Sequence, residues 1–347
     1  MKLQKKDIVK ALIIVVIILA LGGCAFGAYV GVRAWGSRID GTRSYDEVYS
    51  MGGYALDAGE DGVIKVLKIN DTHFIDGEIE SDKRTLDELK VVLDNNPVDL
   101  IVMAGDLVEG FNLNIRYDKE NAIRKFAELM EEYDTPWTFI PGNNDGEIDG
   151  SNRDVIAFLL SYEHFITGNV KEIYGDTQFY VDVTYNSERV HLLAFMDTGM
   201  RKPKITGPYD HLRESQVENL KATIEERGVR TSLFIHMQTP AFGEAYENGK
   251  DYQNMPKRMS SSYKSIPKNS NFDKALEGEE LLTLVSCGHQ HGNDVCAYYE
   301  GRYYQLSSPS GYTAWMPEDV TPTATLTIIN VLEESVEDAY HFEKVWC

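Results

Sequence analysis

Residues 281–285, Leu-Leu-Thr-Leu-Val, form an apolar run of strand length. It ends in Ser286-Cys287-Gly288-His289-Gln290-His291-Gly292-Asn293-Asp294, two imidazoles one residue apart. Side chains i and i+2 of an extended segment share a face, so His289 and His291 can reach into one site. Alone, such a pair reads as a polar turn. Four earlier junctions of the same kind change that reading. Residues 63–69 run into Asn70-Asp71-Thr72-His73, residues 99–104 into Gly105-Asp106, residues 137–140 into Pro141-Gly142-Asn143-Asn144-Asp145, and residues 232–235 into His236. Each apolar strand stops on a side chain able to ligate a metal.

Between the first three junctions, residues 83–93 and 121–133 carry apolar side chains at helical spacing. Strand and helix alternate, which predicts a layered βαβ sheet whose active loops lie beyond the carboxyl ends of its strands. Residues 178–184 and 189–196 then read as paired strands, and 216–227 as a further amphipathic helix. Residues 243–275 read as a polar excursion at the rim of the site, and 295–299, 302–306 and 324–331 as a terminal meander.

Charge narrows the partners. The chain of 347 residues carries a formal −21. Five of its basic residues and one acidic residue lie in the first 35 positions, so the remainder holds 29 basic and 54 acidic side chains, a formal −25. Such a body repels nucleic acid unless a local patch or bound metal inverts the field, so nucleic acid is not the partner expected.

A basic start, Met1 to Lys10, precedes 22 residues without a formal charge, 11–32. That length and composition predict an N-terminal transmembrane helix, with the lysines cytoplasmic and the acidic body outside. The expectation is a single-pass protein of the cell membrane: residues 1–35 a signal anchor, 36–60 a linker and 61–347 the catalytic domain. Leu21-Gly22-Gly23-Cys24 also resembles a lipobox, and Ala25-Phe26-Gly27 a signal-peptidase site, giving a lipoprotein or a secreted form. Cys287 and Cys296 bracket the His-x-His loop, with two free buried thiols preferred over a disulfide.

The junction side chains are Asp71, His73, Asp106, Asn143, His236, His289 and His291, seven candidates of mixed nitrogen and oxygen type. This chemistry suits Mn, Fe or Zn and is too nitrogen-rich for Ca or Mg. Seven ligands exceed one ion. Two divalent or trivalent ions about 3.5 to 4 Å apart, sharing a carboxylate, use them all and make the clamp of two-metal phosphoesterases.

These blocks resemble the calcineurin-like metallophosphoesterase superfamily, with its Asp-x-His, Gly-Asp, Gly-Asn-His-Asp/Glu, lone His and Gly-His-x-His motifs. The blocks around Phe234-Ile235-His236, Gly288 to Asp294 and Asp197-Thr198-Gly199 are similar to those of compact, non-purple relatives of purple acid phosphatases. The resemblance implies a four-layer α/β sandwich, two mixed β-sheets flanked by helices. It implies one metal on Asp71, His73 and His291, another on Asn143, His236 and His289, and Asp106 bridging. It also implies hydrolysis of a phosphomonoester or phosphodiester by attack of a metal-bridging hydroxide, with Asp106, Asn143, Asn144 and His236 as catalytic positions. Two departures stand out. Glu109 occupies the place of the purple enzymes' tyrosinate, and Asn144 that of the histidine assisting the leaving group. Asn donates a hydrogen bond but releases no proton near neutrality. The alternative is therefore a metal-binding pseudophosphatase that recognises a phosphorylated ligand with little turnover.

Overall fold

The computed structural model describes Cys24, Ile39 and residues 43–110, 117–146, 152–200, 209–252, 255, 257–259 and 271–346. Among the described residues the strands form two mixed sheets. One holds β2 (Val63–Ile69), β3 (Leu100–Met103), β4 (Trp137–Phe139), β12 (Ala324–Asn330) and β13 (Tyr340–Val345), in the order β13-β12-β2-β3-β4. Its β2, β3 and β4 run parallel, as the intervening helices Glu80–Asn95 and Lys119–Met130 require.

The other sheet has eight strands. They are β1 (Tyr54–Asp57), β5 (Gln178–Tyr185), β6 (Glu188–Met196), β7 (Arg230–Phe234), β8 (Lys250–Asp251), β9 (Leu282–Cys287), β10 (Val295–Tyr299) and β11 (Arg302–Leu306), ordered β1-β5-β6-β7-β9-β11-β10-β8.

Strand periodicity explains how the layers stack. In β2 and β3, Ile64, Val66, Leu100 and Val102 point into one core shared with Val181, Leu193, Phe195, Phe234 and Leu284 of the larger sheet. Their neighbours Leu67, Ile69, Ile101 and Met103 pack on the opposite face against Leu89, Ile123 and Phe126 of the two helices. A third core covers the outer face of the larger sheet with Val217, Leu220 and Ile224 of the helix Glu214–Arg227 and Phe242 of Ala241–Asn248. Helices, sheet, sheet and helices follow in order, so the expected sandwich is present.

The membrane part of the expectation is corrected. Among the described residues no helix is long and apolar enough to cross a membrane. Of the described helices the longest, Glu80–Asn95, has 16 residues. At 1.5 Å per residue it falls short of a hydrocarbon core of about 30 Å, and it carries charges along its length. The predicted span at 11–32 lies outside the described residues, apart from Cys24, which is exposed. The transmembrane helix, the membrane as a partner, and the single-pass placement at the cell membrane with an extracytoplasmic body are therefore withdrawn.

Residues 45–57 also depart from the linker reading. Tyr45–Ser50 is a 3-10 helix capped by Ser44 and Glu47, and β1 adds parallel to β5 at the sheet edge. The sequence hides this because short edge elements have little periodicity. Cys287 and Cys296 are free and buried. They sit on β9 and β10 with β11 between them, two strand spacings apart, which is too far for a disulfide.

Candidate metal centre

All five junctions converge at the carboxyl ends of their strands. Asp71 and His73 follow β2, Asp106 follows β3, and Asn143 follows β4, all in the smaller sheet. His236 follows β7 while His289 and His291 follow β9, in the larger one. The site lies across the seam between the sheets.

Four of these residues stand on left-handed backbone, with φ of 53° at Asp71, 50° at His73, 53° at Asp106 and 74° at His289. Each such non-glycine position costs of order 1 kcal/mol or more, and persists only where its surroundings over-determine it. Here the loops brace each other. Asp71 N–H donates to the Gly105 carbonyl at 2.9 Å and His73 N–H to the Asp106 carbonyl at 3.0 Å. Gly105 has φ of 87°, and a Cβ there would run into the His236 ring, so only glycine fits.

Two donor groups result, Asp71 with His73 and His291, and Asp106 with His236 and His289, the atoms of each group within 4.8 Å of one another. Asp106 lies between them, its Oδ2 3.3 Å from His236 Nε2 and 3.7 Å from His73 Nε2. Asn143 Oδ1 joins the second group, 3.3 Å from His236 Nε2.

The imidazoles are aimed by partners behind them. His73 Nδ1 meets Glu109 Oε2 at 2.8 Å, His236 Nδ1 donates to the Ala104 carbonyl at 2.9 Å, and His291 Nδ1 donates to the Trp315 carbonyl at 2.6 Å. Each bond commits the Nδ1 proton and turns an Nε2 lone pair inward. The lone pairs of His73 and His291 then face each other across 3.1 Å. That arrangement calls for a cation.

Two more observations fit bound metal. Asp71 Oδ1 and His289 Nδ1 are buried without a hydrogen-bond partner, and such orphans in a native structure ask for an explanation. Asp71 Oδ2, by contrast, is satisfied by the backbone N–H of His289 at 2.8 Å and by Asn70 Nδ2 at 2.7 Å. One carboxylate oxygen is fixed and the other points into the site. The residues fit two ions of the Mn, Fe or Zn kind.

Electrostatics agree. Burial opposes charge on His73, yet Asp71, Glu109 and Asp106 hold its pKa well above the ordinary value. Burial likewise opposes the charge of His236, and Asp106 nevertheless raises it to about 9. Asp71 and Asp106 are kept ionised against burial by the facing histidines. Positive charge is wanted here, and protons take up that role in the absence of metal. His289 behaves oppositely: burial pushes it down to about 3, leaving it neutral and ligand-ready.

Asn144 is brought to the site but faces Asp106. Its backbone N–H donates to Asp106 Oδ1 at 2.7 Å and its side-chain amide to Oδ2 at 2.6 Å. Asp145 organises the loops, accepting the backbone N–H of Asp106 at 2.9 Å, Val108 at 3.1 Å and Gly142 at 2.7 Å.

Three roles escaped the sequence reading. Glu109 orients His73, Trp315 orients His291 through its carbonyl, and Lys68 lies fully buried between the sheets. Lys68 Nζ donates to the Cys287 carbonyl and to Gln305 Oε1, tying β2 to β9 and β11 just below the His-x-His loop. Burial lowers its pKa to about 8. Strand alternation could have found it, since position 68 shares the inward face of Ile64 and Val66. The contacts of Glu109 with His73 and of the Trp315 carbonyl with His291 left no local signal.

A two-sheet α/β sandwich that gathers paired histidine and carboxylate groups at strand ends across its seam is the scaffold of a metal-dependent phosphoester hydrolase. The chain belongs to the calcineurin-like phosphoesterase family, whose model matches residues 64–293. Phosphatase DCR2 of Saccharomyces cerevisiae is 24% identical over 285 residues, covering 74% of this chain and 48% of that protein, so the chain spans about half its length. The "Probable inactive purple acid phosphatase 28" of Arabidopsis thaliana is 25% identical over 305 residues, covering 74% of this chain and 72% of that protein. A dimetal phosphatase from Danio rerio shares the fold with a TM-score of 0.52 at 11% identity, covering 82% of this chain and 99% of that structure.

Proposed function

We propose that the chain hydrolyses a phosphomonoester or phosphodiester at a binuclear centre. Asp71, His73 and His291 would hold one ion and Asn143, His236 and His289 the other, with Asp106 available to both. The observation that carries this is the placement of Asp106 between two His/Asp groups, one of which confronts two imidazole lone pairs at 3.1 Å. Two ions bound there supply charge for the phosphate oxygens and an activated nucleophile. The chain's own residues hold the geometry. Glu109 and the carbonyls of Ala104 and Trp315 keep the imidazoles turned inward, and Asp145 and Asn144 hold Asp106 in place. The catalytic body assigned to 61–347 extends forward to about residue 43, because the 3-10 helix and β1 pack onto it.

Within the family we place the chain with the non-purple relatives of purple acid phosphatases. The similarity to the plant protein above supports the tie to purple acid phosphatases, and Glu109 in the tyrosinate position supports the non-purple part. Asn144 motivates a second reading. Its amide is spent on Asp106, so no proton donor stands there, and general-acid help of roughly 10²- to 10⁴-fold is missing. A metal-binding pseudophosphatase follows if no other group supplies it.

Hydrolysis of an aryl phosphate monoester and of its diester, by protein stripped of metal and reloaded with Mn, Zn or Fe, separates the two. The hydrolase reading expects metal-dependent turnover that is lost in His236→Ala. Its failure is stoichiometric binding of two metals without cleavage of either ester. In that case restoration of cleavage by Asn144→His would identify the pseudophosphatase.

A further inference from the structure

Trp315 is the most exposed large apolar side chain among the described residues, at 72% of its full accessibility. Its backbone carbonyl is also the group that fixes His291. An indole open to solvent therefore begins at the same residue that touches the metal centre's own histidine ring.

The backbone that carries it is fixed. Ser310 N–H donates to the Asn70 carbonyl at 2.7 Å. Tyr312 N–H donates to Thr85 Oγ1 at 3.0 Å, and Thr313 Oγ1 to Asp82 Oδ1 at 2.6 Å. A Cβ on Gly311 would strike the backbone of Thr72, so this loop lies directly on the strand end that bears Asp71 and His73. Ala314, next in line, is buried. Five successive positions are anchored, and the sixth side chain is released into solvent. Among the described residues no hydrogen bond or ring contact engages its indole. A tryptophan offers a large flat apolar face with a polar N–H at its edge, and this one is open to a ligand.

We propose that the Trp315 indole is a stacking platform for a flat aromatic group carried by the phosphoester. The substrate class is an aryl or nucleobase-bearing phosphate, seated with its phosphorus at the metal pair and its ring on Trp315. This rests on the phosphoesterase reading above and names the substrate it takes. What ties the indole to the site is that its own residue's carbonyl holds His291 of the Asp71, His73 and His291 group. Stacking on an aromatic side chain is worth roughly 5- to 100-fold in affinity per ring.

Calorimetric titration of the Mn-loaded protein with phenylphosphonate, cyclohexylphosphonate and methylphosphonate tests this without turnover. Phenylphosphonate is expected to bind at least fivefold more tightly than the other two. Trp315→Ala should erase that preference while leaving the methylphosphonate affinity in place, and Trp315→Phe should keep most of it. Because the indole is solvent-exposed, circular dichroism of both variants should match the parent. Equal binding of all three phosphonates, or an equal loss of all three in Trp315→Ala, overturns the platform and leaves the phosphoesterase reading standing. If none binds the metal-loaded protein, the phosphoesterase reading falls and the platform falls with it.

Discussion

At the scale of single residues, the centre depends on groups that never touch substrate. Glu109 fixes the tautomer of His73, and without it the ring is free to turn its lone pair away from Asp71. Glu109→Ala should therefore lower metal affinity about 10- to 100-fold, the usual cost of losing an orienting partner, and Glu109→Gln should fall between the two. Competition with a chromophoric chelator reads this, and unchanged affinity in both variants would remove Glu109 from the machinery. His191 shows the opposite design, a histidine kept neutral. It is buried and shares a 2.9 Å bond with Ser232 Oγ, and burial, with Arg230 adding to it, lowers its pKa to about 3. Its folded pKa lies below the unfolded value of about 6.5, so the unfolded state binds the proton more readily. The stability it supports is full above pH 6.5 and drains away as pH falls toward 3. Between pH 7 and pH 5 the parent should lose about 2 kcal/mol of unfolding free energy that His191→Gln does not lose. Parallel urea curves at the two pH values would refute this if the two proteins changed alike.

At the scale of elements, the edge strand β1 decides where the folded body begins. Ala58 N–H donates to the Thr184 carbonyl at 2.8 Å, Tyr54 OH to the Thr167 carbonyl at 3.0 Å, and Tyr45 OH to the Asp176 carbonyl at 2.7 Å. A chain started at residue 60 loses all three, together with the buried Tyr45 and Val48, and leaves β5 as an unpaired edge. Its thermal midpoint should lie about 5 °C or more below that of a chain started at residue 43, and calorimetry that found them equal would return residues 43–59 to linker status. These residues mark the boundary of what sequence can say. The strands β2, β3, β4, β7 and β9 were legible because each is an apolar run ending in a ligand type, so burial and chemistry wrote the same signal twice. Asp71, Asp106 and His236 were legible for that reason. β1 has four residues and alternates only weakly between half-buried and exposed. Glu109 and Trp315 lie 36 and 24 positions from the histidines they hold, and no periodicity relates residues so far apart. Asn144 could be singled out as an oddity, but its bond to Asp106 exists only once β3 and β4 lie side by side.

At the scale of the whole molecule, the candidate donors divide between the two sheets, so metal bound there would join them. Asp71, His73, Asp106 and Asn143 come from the smaller sheet, and His236, His289 and His291 from the larger. Without metal, this seam holds buried carboxylates, facing imidazole nitrogens and two orphaned polar atoms, Asp71 Oδ1 and His289 Nδ1, held together mainly by protons and by the hydrophobic core behind them. Metal that binds only the folded state adds about 2.7 kcal/mol per site at a hundredfold excess over its dissociation constant. Two sites should therefore raise the thermal midpoint by about 8 °C in a body of this size, and a chelator should reverse the rise. Asp106→Asn is the discriminating variant. It keeps the shape of the side chain proposed to bridge and removes the charge both sites would share, so most of the rise should vanish. Loss of only the increment due to one site would place Asp106 in a single group. If two equivalents of Mn or Zn bind and the midpoint does not move, the sheets are held without them and the seam is not joined by metal.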